Sequence, residues 1–136
     1  MARRLSGLAA IAMLASAVSI CPQARAEGDR VKPVRAEKLQ NVPGKSLTAV
    51  VVNYAPGGKS ASHHHAGSVF AYVLSGEIRS ENSATGPAKV YKAGESFFEP
   101  PGSSHLVSEN ASATEPASLL AVFVADDGAQ LTNFEK

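Results

Sequence analysis

The sequence contains no tryptophan, a single cysteine, and few aromatic residues, which make up 6% of its 136 residues. One cysteine cannot form an internal disulfide, a redox-active cysteine pair or a thiolate zinc site. A formal net charge of +1 gives no basic excess, so no nucleic-acid partner is expected. With 44% hydrophobic and 18% charged residues, the chain is too apolar for intrinsic disorder and too polar for a multi-span membrane protein. The length then indicates one small soluble domain.

The first 26 residues have the pattern of a secretory signal peptide, with cleavage predicted after Ala26. Arg3 and Arg4 precede an uncharged run of apolar and small residues over 5–20, and a small-x-small pattern ends at Ala26. A membrane anchor is one alternative, although the apolar run is shorter than the roughly 20 residues that a spanning helix needs. A lipoprotein acylated at Cys21 is another. We expect an exported protein, periplasmic or secreted, with no membrane attachment once the signal peptide is removed.

The rest of the chain reads as a short arm followed by closely spaced strands. Residues 27–45 are polar, contain two prolines, and are interpreted as an N-terminal arm. Residues 46–136 alternate short runs of apolar and β-branched residues with turn residues, and no segment shows a helical apolar stripe. Strands are predicted at 47–54, 69–74, 77–80, 89–92, 96–99, 105–109 and 119–125. About seven or eight short strands predict an all-β sandwich or barrel.

The four histidines fall in two places on the chain. His63, His64 and His65 follow a Pro-Gly-Gly turn, and His105 follows a Pro-Pro-Gly turn. In extended backbone, His63 and His65 point to one face of the sheet and His64 to the other. Two imidazoles on one face, with a third from another strand, are a common way to hold a first-row metal ion. A solvated loop and a packing role in the core are alternatives that the histidines alone leave open.

The spacing around the histidines forms two motifs. The first is Gly57, five residues, His63-x-His65 and a strand that ends at Gly76; the second is Gly94, five residues, Pro100-x-Gly102, two residues and His105. In this order they resemble the two motifs of the cupin superfamily, over roughly residues 57–110. The resemblance implies a small jelly-roll barrel over 46–136, often dimeric, with a site inside its mouth. We therefore expect a homodimer.

The resemblance also implies a set of metal ligands, and this chain departs from it at one position. His63, His65 and His105 match the family's histidine ligands, but Val69 stands where the first motif usually has a glutamate. Glu109 stands where the second motif usually has an asparagine. Three neutral imidazoles leave a divalent ion with its full charge, which disfavours Mn²⁺ and suits Fe, Ni, Cu or Zn. We take Fe(II) as the favoured cofactor, with Zn, Ni or Cu as alternatives.

For several other side chains near the motifs, the sequence allows more than one role. Glu99 ends the strand before Pro100 and is a possible fourth ligand; a solvent-facing strand residue is the alternative. Either Phe70 or Tyr72 is expected to face the barrel interior, where Tyr72 would be a possible proton donor. Three phenylalanines are expected in the core, namely Phe97, Phe98 and Phe123. His64 is expected to be exposed or to orient a ligand through a hydrogen bond.

Three function classes remain open. The favoured one is an exported metal-dependent enzyme, dioxygenase-like, in which an anionic bidentate substrate supplies the missing negative charge to the metal. A second class binds a metal or a small ligand without turnover. A third performs metal-free isomerase or lyase chemistry on an acid–base pair, which needs a titratable partner near His63 or His105. The sequence identifies no such partner and no particular substrate.

Overall fold

The structure is a computed structural model, and it describes residues 30–135. The signal peptide predicted over residues 1–26 lies outside this part of the chain, as do the first three residues of the predicted arm. No helix among the described residues is long and apolar enough to cross a membrane. The strands are β1 (Val31–Lys38), β2 (Lys45–Tyr54), β3 (His63–His65), β4 (Ser68–Ser75), β5 (Glu77–Asn82), β6 (Gly86–Lys92), β7 (Ser96–Glu99), β8 (Ser104–Asn110), β9 (Ala117–Asp126) and β10 (Thr132–Phe134).

The strands form two five-stranded sheets, in the orders β1-β2-β9-β4-β7 and β10-β3-β8-β5-β6. Every pairing between these strands is antiparallel. The predicted all-β class and the jelly-roll arrangement that the resemblance implies are confirmed. Each of the predicted strands is present, and β1, β3 and β10 complete the sheets.

Most of the described part of the predicted arm is a strand. β1 pairs with β2 along its length, from Val31 opposite Val52 to Lys38 opposite Ser46, and every residue of β1 is exposed. Its polar composition and Pro33 suit an edge strand, because an edge residue need not donate a hydrogen bond to a further strand. The pairing register shifts just after Pro33. The segment thus adds an edge to the first sheet.

The core lies between the sheets and follows the two-residue period of the strands. Ile78, Val69 and Val73 are almost completely buried, and Phe97 and Phe123 lie in the same cluster as predicted. Burial of this apolar surface is the main stabilising contribution in a domain with no disulfide.

Three aromatic side chains correct the sequence-based expectations. Phe98 is 49% exposed, because it neighbours the buried Phe97 on β7 and successive strand residues face opposite sides. Phe70 and Tyr72 are both exposed, since residues two apart on β4 share a face. Tyr72 therefore does not line the interior, and the proton-donor role considered for it is wrong.

A glycine fixes how the histidine strand meets the opposite sheet. Gly67 lies between β3 and β4, and a Cβ atom there would come within 2.1 Å of the carbonyl oxygen of Val124. That distance is far below any allowed contact, so a side chain at position 67 would push the turn between β3 and β4 away from β9. The close approach keeps His65 against Phe123, whose ring centroid lies 5.1 Å from the imidazole.

Candidate metal centre

Three histidines converge inside the barrel. His63 and His65 lie on β3, and β8 pairs with β3 so that His105 stands directly opposite His63. The three side chains are buried, and one ring nitrogen from each lies within 4.8 Å of the others. The alternation of strand side chains brings His63 and His65 to the same side, as the sequence predicted.

The outer nitrogens of two histidines are held by backbone carbonyls. His63 Nδ1 lies 2.7 Å from the Ala61 oxygen, and His65 Nδ1 lies 2.9 Å from the Leu131 oxygen. A carbonyl accepts only from N–H, so each ring carries its proton on Nδ1 and leaves the Nε2 lone pair available. Burial lowers the pKa of both His63 and His65, since desolvation disfavours the charged imidazolium. Neutral rings with a free Nε2 are the form that binds a metal ion.

His105 has partners at both nitrogens. Its Nε2 lies 2.8 Å from the hydroxyl of Ser80 on the neighbouring strand β5, and its Nδ1 lies 3.1 Å from Oε2 of Glu99. The ring is therefore fixed in orientation from two sides. The same Glu99 oxygen lies 3.8 Å from His65 Nε2, so one carboxylate oxygen faces two of the three imidazoles.

Glu99 does not face solvent, which corrects one of the two interpretations left open for it. Only 3% of its surface is exposed. Burial by itself raises the pKa of Glu99. The hydrogen bond from His105 and the nearby imidazoles lower the pKa by a larger amount, so it lies below its ordinary value. The carboxylate is thus ionised within the cluster. No sequence motif singles it out, because its direction depends on the pairing of β7 with β4.

That pairing places Glu99 directly opposite Val69, the position at which the cupin motif usually carries its glutamate. Val69 is 1% exposed and lines the same cavity. Residues opposite each other on paired strands have adjacent side chains. A carboxylate therefore enters the site from the neighbouring strand, and the donor set contains a negative charge after all.

His64 lies on the opposite face of β3 from His63 and His65. It is half-buried, and its backbone is paired with Asn133 on one side and Ser104 on the other. Its side chain does not belong to the cluster of metal-ligating groups found among residues 30–135. His64 is therefore a suitable control for substitutions at the other three histidines.

The histidines line a cavity of about 280 Å³ between the sheets. Most of its other walls are apolar, with Val52, Val69, Phe97, Leu119 and Phe123 among the lining residues. The remaining polar lining residues are Arg30, Tyr54, Ser60, Glu99, Ser108 and Thr132. Sequence reasoning missed Arg30, Tyr54 and Ser108, since no motif marks them and their direction depends on strand pairing. Such a mostly apolar cavity with a few polar groups is typical of a small-molecule site.

The donor set fits a divalent first-row metal ion. Imidazole nitrogens and a carboxylate oxygen suit Fe, Zn, Ni and Cu, and one nitrogen from each of the three rings lies within 4.8 Å of the others. The hydrogen bonds from Nδ1 of His63 and His65 provide the outer support that metal-bound histidines usually have. His63 and His65 would hold the ion through Nε2, and His105 through the Nδ1 that otherwise donates to Glu99, with Glu99 beside them.

Solved structures of other proteins share this fold. A cupin-like protein from Thermotoga maritima is 21% identical, with a TM-score of 0.57, over 77% of this chain and 74% of that one. The DMSP lyase DddQ from Ruegeria pomeroyi is 22% identical, with a TM-score of 0.56, over 65% of this chain and 42% of that one. An oxalate oxidase in complex with the substrate analogue glycolate is 26% identical, with a TM-score of 0.52, over 67% of this chain and 46% of that one.

This chain thus spans less than half the length of the DMSP lyase and the oxalate oxidase. A comparison with curated proteins finds no match. The family model for the cupin domain matches residues 50–123, a stretch that holds His63, His65, Glu99 and His105. That match covers more than half of the chain and agrees with the two sheets and the buried histidines, so the chain belongs to the cupin family.

Proposed function

We propose that this cupin binds a divalent metal ion, Fe(II) by preference, through His63, His65 and His105, with Glu99 as a fourth ligand. In this proposal the protein has a dioxygenase-like activity on a small chelating organic molecule. The convergence of the three buried imidazoles in a small, mostly apolar cavity carries the proposal. The oxalate oxidase that is 26% identical to this chain was solved in complex with glycolate. Glycolate is a 2-hydroxy acid, and this is one of the substrate types that we propose.

The side chains around the cluster have distinct tasks in this proposal. Ala61 and Leu131 carbonyls hold the rings of His63 and His65 so that Nε2 faces the site, and Ser80 fixes His105. Glu99 supplies one negative charge. Val69, Phe97 and Phe123 give the cavity apolar walls, and a low dielectric strengthens electrostatic interactions within it. Fe(II) held by these residues would supply a redox-active Lewis acid for the substrate.

Metal analysis of the untagged protein tests the first half of the proposal. We expect about one metal ion per chain, lost in His63→Ala, His65→Ala and His105→Ala and retained in His64→Ala, because only the first three rings face the site. Metal loss in His64→Ala alone, with retention in the other three, would contradict it.

Oxygen consumption tests the second half. After loading with Fe(II), the protein is assayed with diketones, flavonols, thiols and 2-hydroxy acids, and His105→Ala serves as the control. Turnover with a chelating anion in the wild-type protein alone supports the enzyme. Metal retention without turnover supports the second candidate, a cupin that binds a metal or a small ligand without catalysis.

A metal-free isomerase or lyase is the third candidate, and one observation favours it. Glu99 and His105 are buried, hydrogen-bonded at 3.1 Å and open to the cavity, so they form the acid–base pair that the sequence did not identify. Activity that survives complete removal of metal by a chelator would support this candidate over the other two.

Export and dimer formation complete the proposal. The pattern of residues 1–26 supports a periplasmic or secreted protein, and N-terminal sequencing of the exported chain is expected to start at Glu27.

For the dimer, we propose the outer face of the first sheet as the contact between two copies. Phe70 and Phe98 lie opposite each other there, with Tyr72, Leu74 and Val124 on the same side, and all five are exposed. Homodimer interfaces are more apolar than the rest of a protein surface.

A further inference from the structure

Arg30 is a cation on the wall of the histidine cavity. Its guanidinium carbon lies 4.4 Å from the centre of the Tyr54 ring, one Nη donates to the Lys59 carbonyl at 2.8 Å, and the other donates to the Ser60 hydroxyl. These contacts fix the group against Tyr54 and the 59–60 loop. A guanidinium has five N–H donors, so several remain for a ligand.

Arg30 differs from the other arginines of the described chain in its charge partners. Arg35 pairs with Glu37 at 2.6 Å, and Arg79 pairs with Glu109 at 3.1 Å, both at the surface. Among residues 30–135, no carboxylate lies within ion-pair distance of Arg30. A fixed guanidinium beside an apolar cavity is suited to bind a carboxylate in a bidentate manner.

The cavity has a second polar region away from the histidines. Tyr54 is buried, and its hydroxyl lies 2.6 Å from that of Ser108. Ser108 follows His105 by three residues on β8, and both side chains line the cavity, so the two regions are separated by roughly 10 Å. Arg30 stacks on Tyr54 and therefore belongs to the Ser108 region.

The wall that connects the two regions on the first sheet is apolar. On β9, Phe123 is paired with Val69 near the histidines, and Ala117 is paired with Tyr54. The inward residues between them, Ala121 and Leu119, are paired with Val50 and Val52. A ligand that reaches both polar regions must therefore be apolar in the middle. The cavity volume of about 280 Å³ lies at the lower end for ligand pockets, which indicates a small molecule.

We propose that Arg30 determines substrate specificity by binding the carboxylate of a small, mainly apolar organic acid whose other end faces the histidine cluster. This inference rests on the proposed function, because it names the substrate class of the same site. Arg30 is the only lysine or arginine among the residues that line the cavity in the described part of the chain, so the acid group lies at Arg30. Arg30 is then a binding residue that the cupin motifs do not contain.

Binding of a matched pair of probes to the metal-free protein tests the assignment. Phenylacetate and the neutral phenylacetamide have nearly the same shape, and their dissociation constants are measured by calorimetry. We expect phenylacetate to bind at least about ten-fold more tightly, since hydrogen bonds to charged groups are stronger than neutral ones. Arg30→Gln is expected to remove this preference and leave binding of the amide unchanged. Arg30→Lys is expected to keep part of it.

Arg79→Gln is the control, because it removes a surface arginine that pairs with Glu109, and it should leave the preference intact. Equal binding of the two probes by the wild-type protein, or no binding of either, would overturn the assignment. An equal loss of both probes in Arg30→Gln would also overturn it, because Arg30 would then only hold the 59–60 loop. Metal content of the protein as purified, measured before the metal is removed for the probe experiment, separates the two proposals. Wild-type protein purified without metal contradicts the proposed function, whereas the probe preference tests Arg30 alone.

Discussion

Glu99 is the residue on which the charge of the site depends. Its carboxylate lies 3.1 Å from His105 and 3.8 Å from His65, and it is buried with them. We predict that Glu99→Gln weakens Fe(II) and Zn²⁺ binding about 10- to 100-fold, the usual range for loss of a group that supports a metal site. The amide keeps the shape but not the charge. Competition with a chelating dye gives the affinities.

Glu109→Gln is the matched control, since Glu109 pairs with Arg79 at the surface. Its metal affinity should equal that of the wild-type protein. An unchanged affinity in Glu99→Gln would contradict the role given to Glu99.

At the scale of single residues, the sequence could predict what is set by local spacing. His63 and His65 are two residues apart and so share a face in any strand, and the motifs add His105. Glu99 could be named only as one of two possibilities, a ligand or a solvent-facing residue, and Arg30 could not be predicted at all, because the position of each depends on long-range pairing. Glu99 acquires its neighbours through the pairing of β7 with β4, and Arg30 through that of β1 with β2.

At the scale of strands, the β4–β7 pairing predicts that the carboxylate of the site can be supplied from either strand, at position 99 or at position 69. Glu99→Val is expected to weaken metal binding, and Val69→Glu in the same chain is expected to restore much of it, because positions 69 and 99 stand opposite each other. Titration with Fe(II) and Mn²⁺ measures both variants. Failure of the double variant to bind more tightly than Glu99→Val would show that position 69 does not face the metal.

The positions of most strands were predictable, because turn residues and apolar runs mark them. The edge strand β1 was not predictable in this way. β1 is polar, contains a proline and lies at a sheet edge, so its sequence resembles that of an arm. Phe98 and the Phe70–Tyr72 pair look like core residues by type, yet all three are exposed on one face. Residue type alone did not reveal that this face is apolar.

At the scale of the whole molecule, that face gives a prediction for the oligomeric state. We expect a dimer, and Phe98→Lys is expected to dissociate it by placing a charge within the apolar contact. Leu106→Lys is the control, since Leu106 is 44% exposed on the second sheet. Sedimentation analysis measures the masses. A monomeric wild-type protein, or dissociation only in Leu106→Lys, would contradict the proposed interface.

The buried histidines give a prediction for the pH dependence of folding in the metal-free protein. Burial lowers the pKa of His63 and His65 below the ordinary value of 6.5, so the unfolded chain binds protons more readily than the folded one. The free energy of unfolding is therefore expected to decrease as the pH falls below about 6.5 and through the folded-state pKa values. Glu99, whose folded-state pKa is also lowered, adds to the loss below about 4.5.

Urea unfolding at a series of pH values measures this decrease. The double variant His63→Gln and His65→Gln is expected to show a smaller decrease between pH 6.5 and 5, since glutamine does not titrate. A stability that is unchanged or that increases over this interval in the wild-type protein would contradict the buried, neutral state of the two rings.

X-ray absorption on the untagged protein loaded with Zn²⁺ measures the three-histidine metal centre directly. We predict one ion per chain with three imidazole nitrogens at about 2.0–2.1 Å, and the loss of one imidazole in His105→Ala but none in His64→Ala. A spectrum with fewer than three imidazoles, or one that is the same for wild-type protein and His105→Ala, would contradict it.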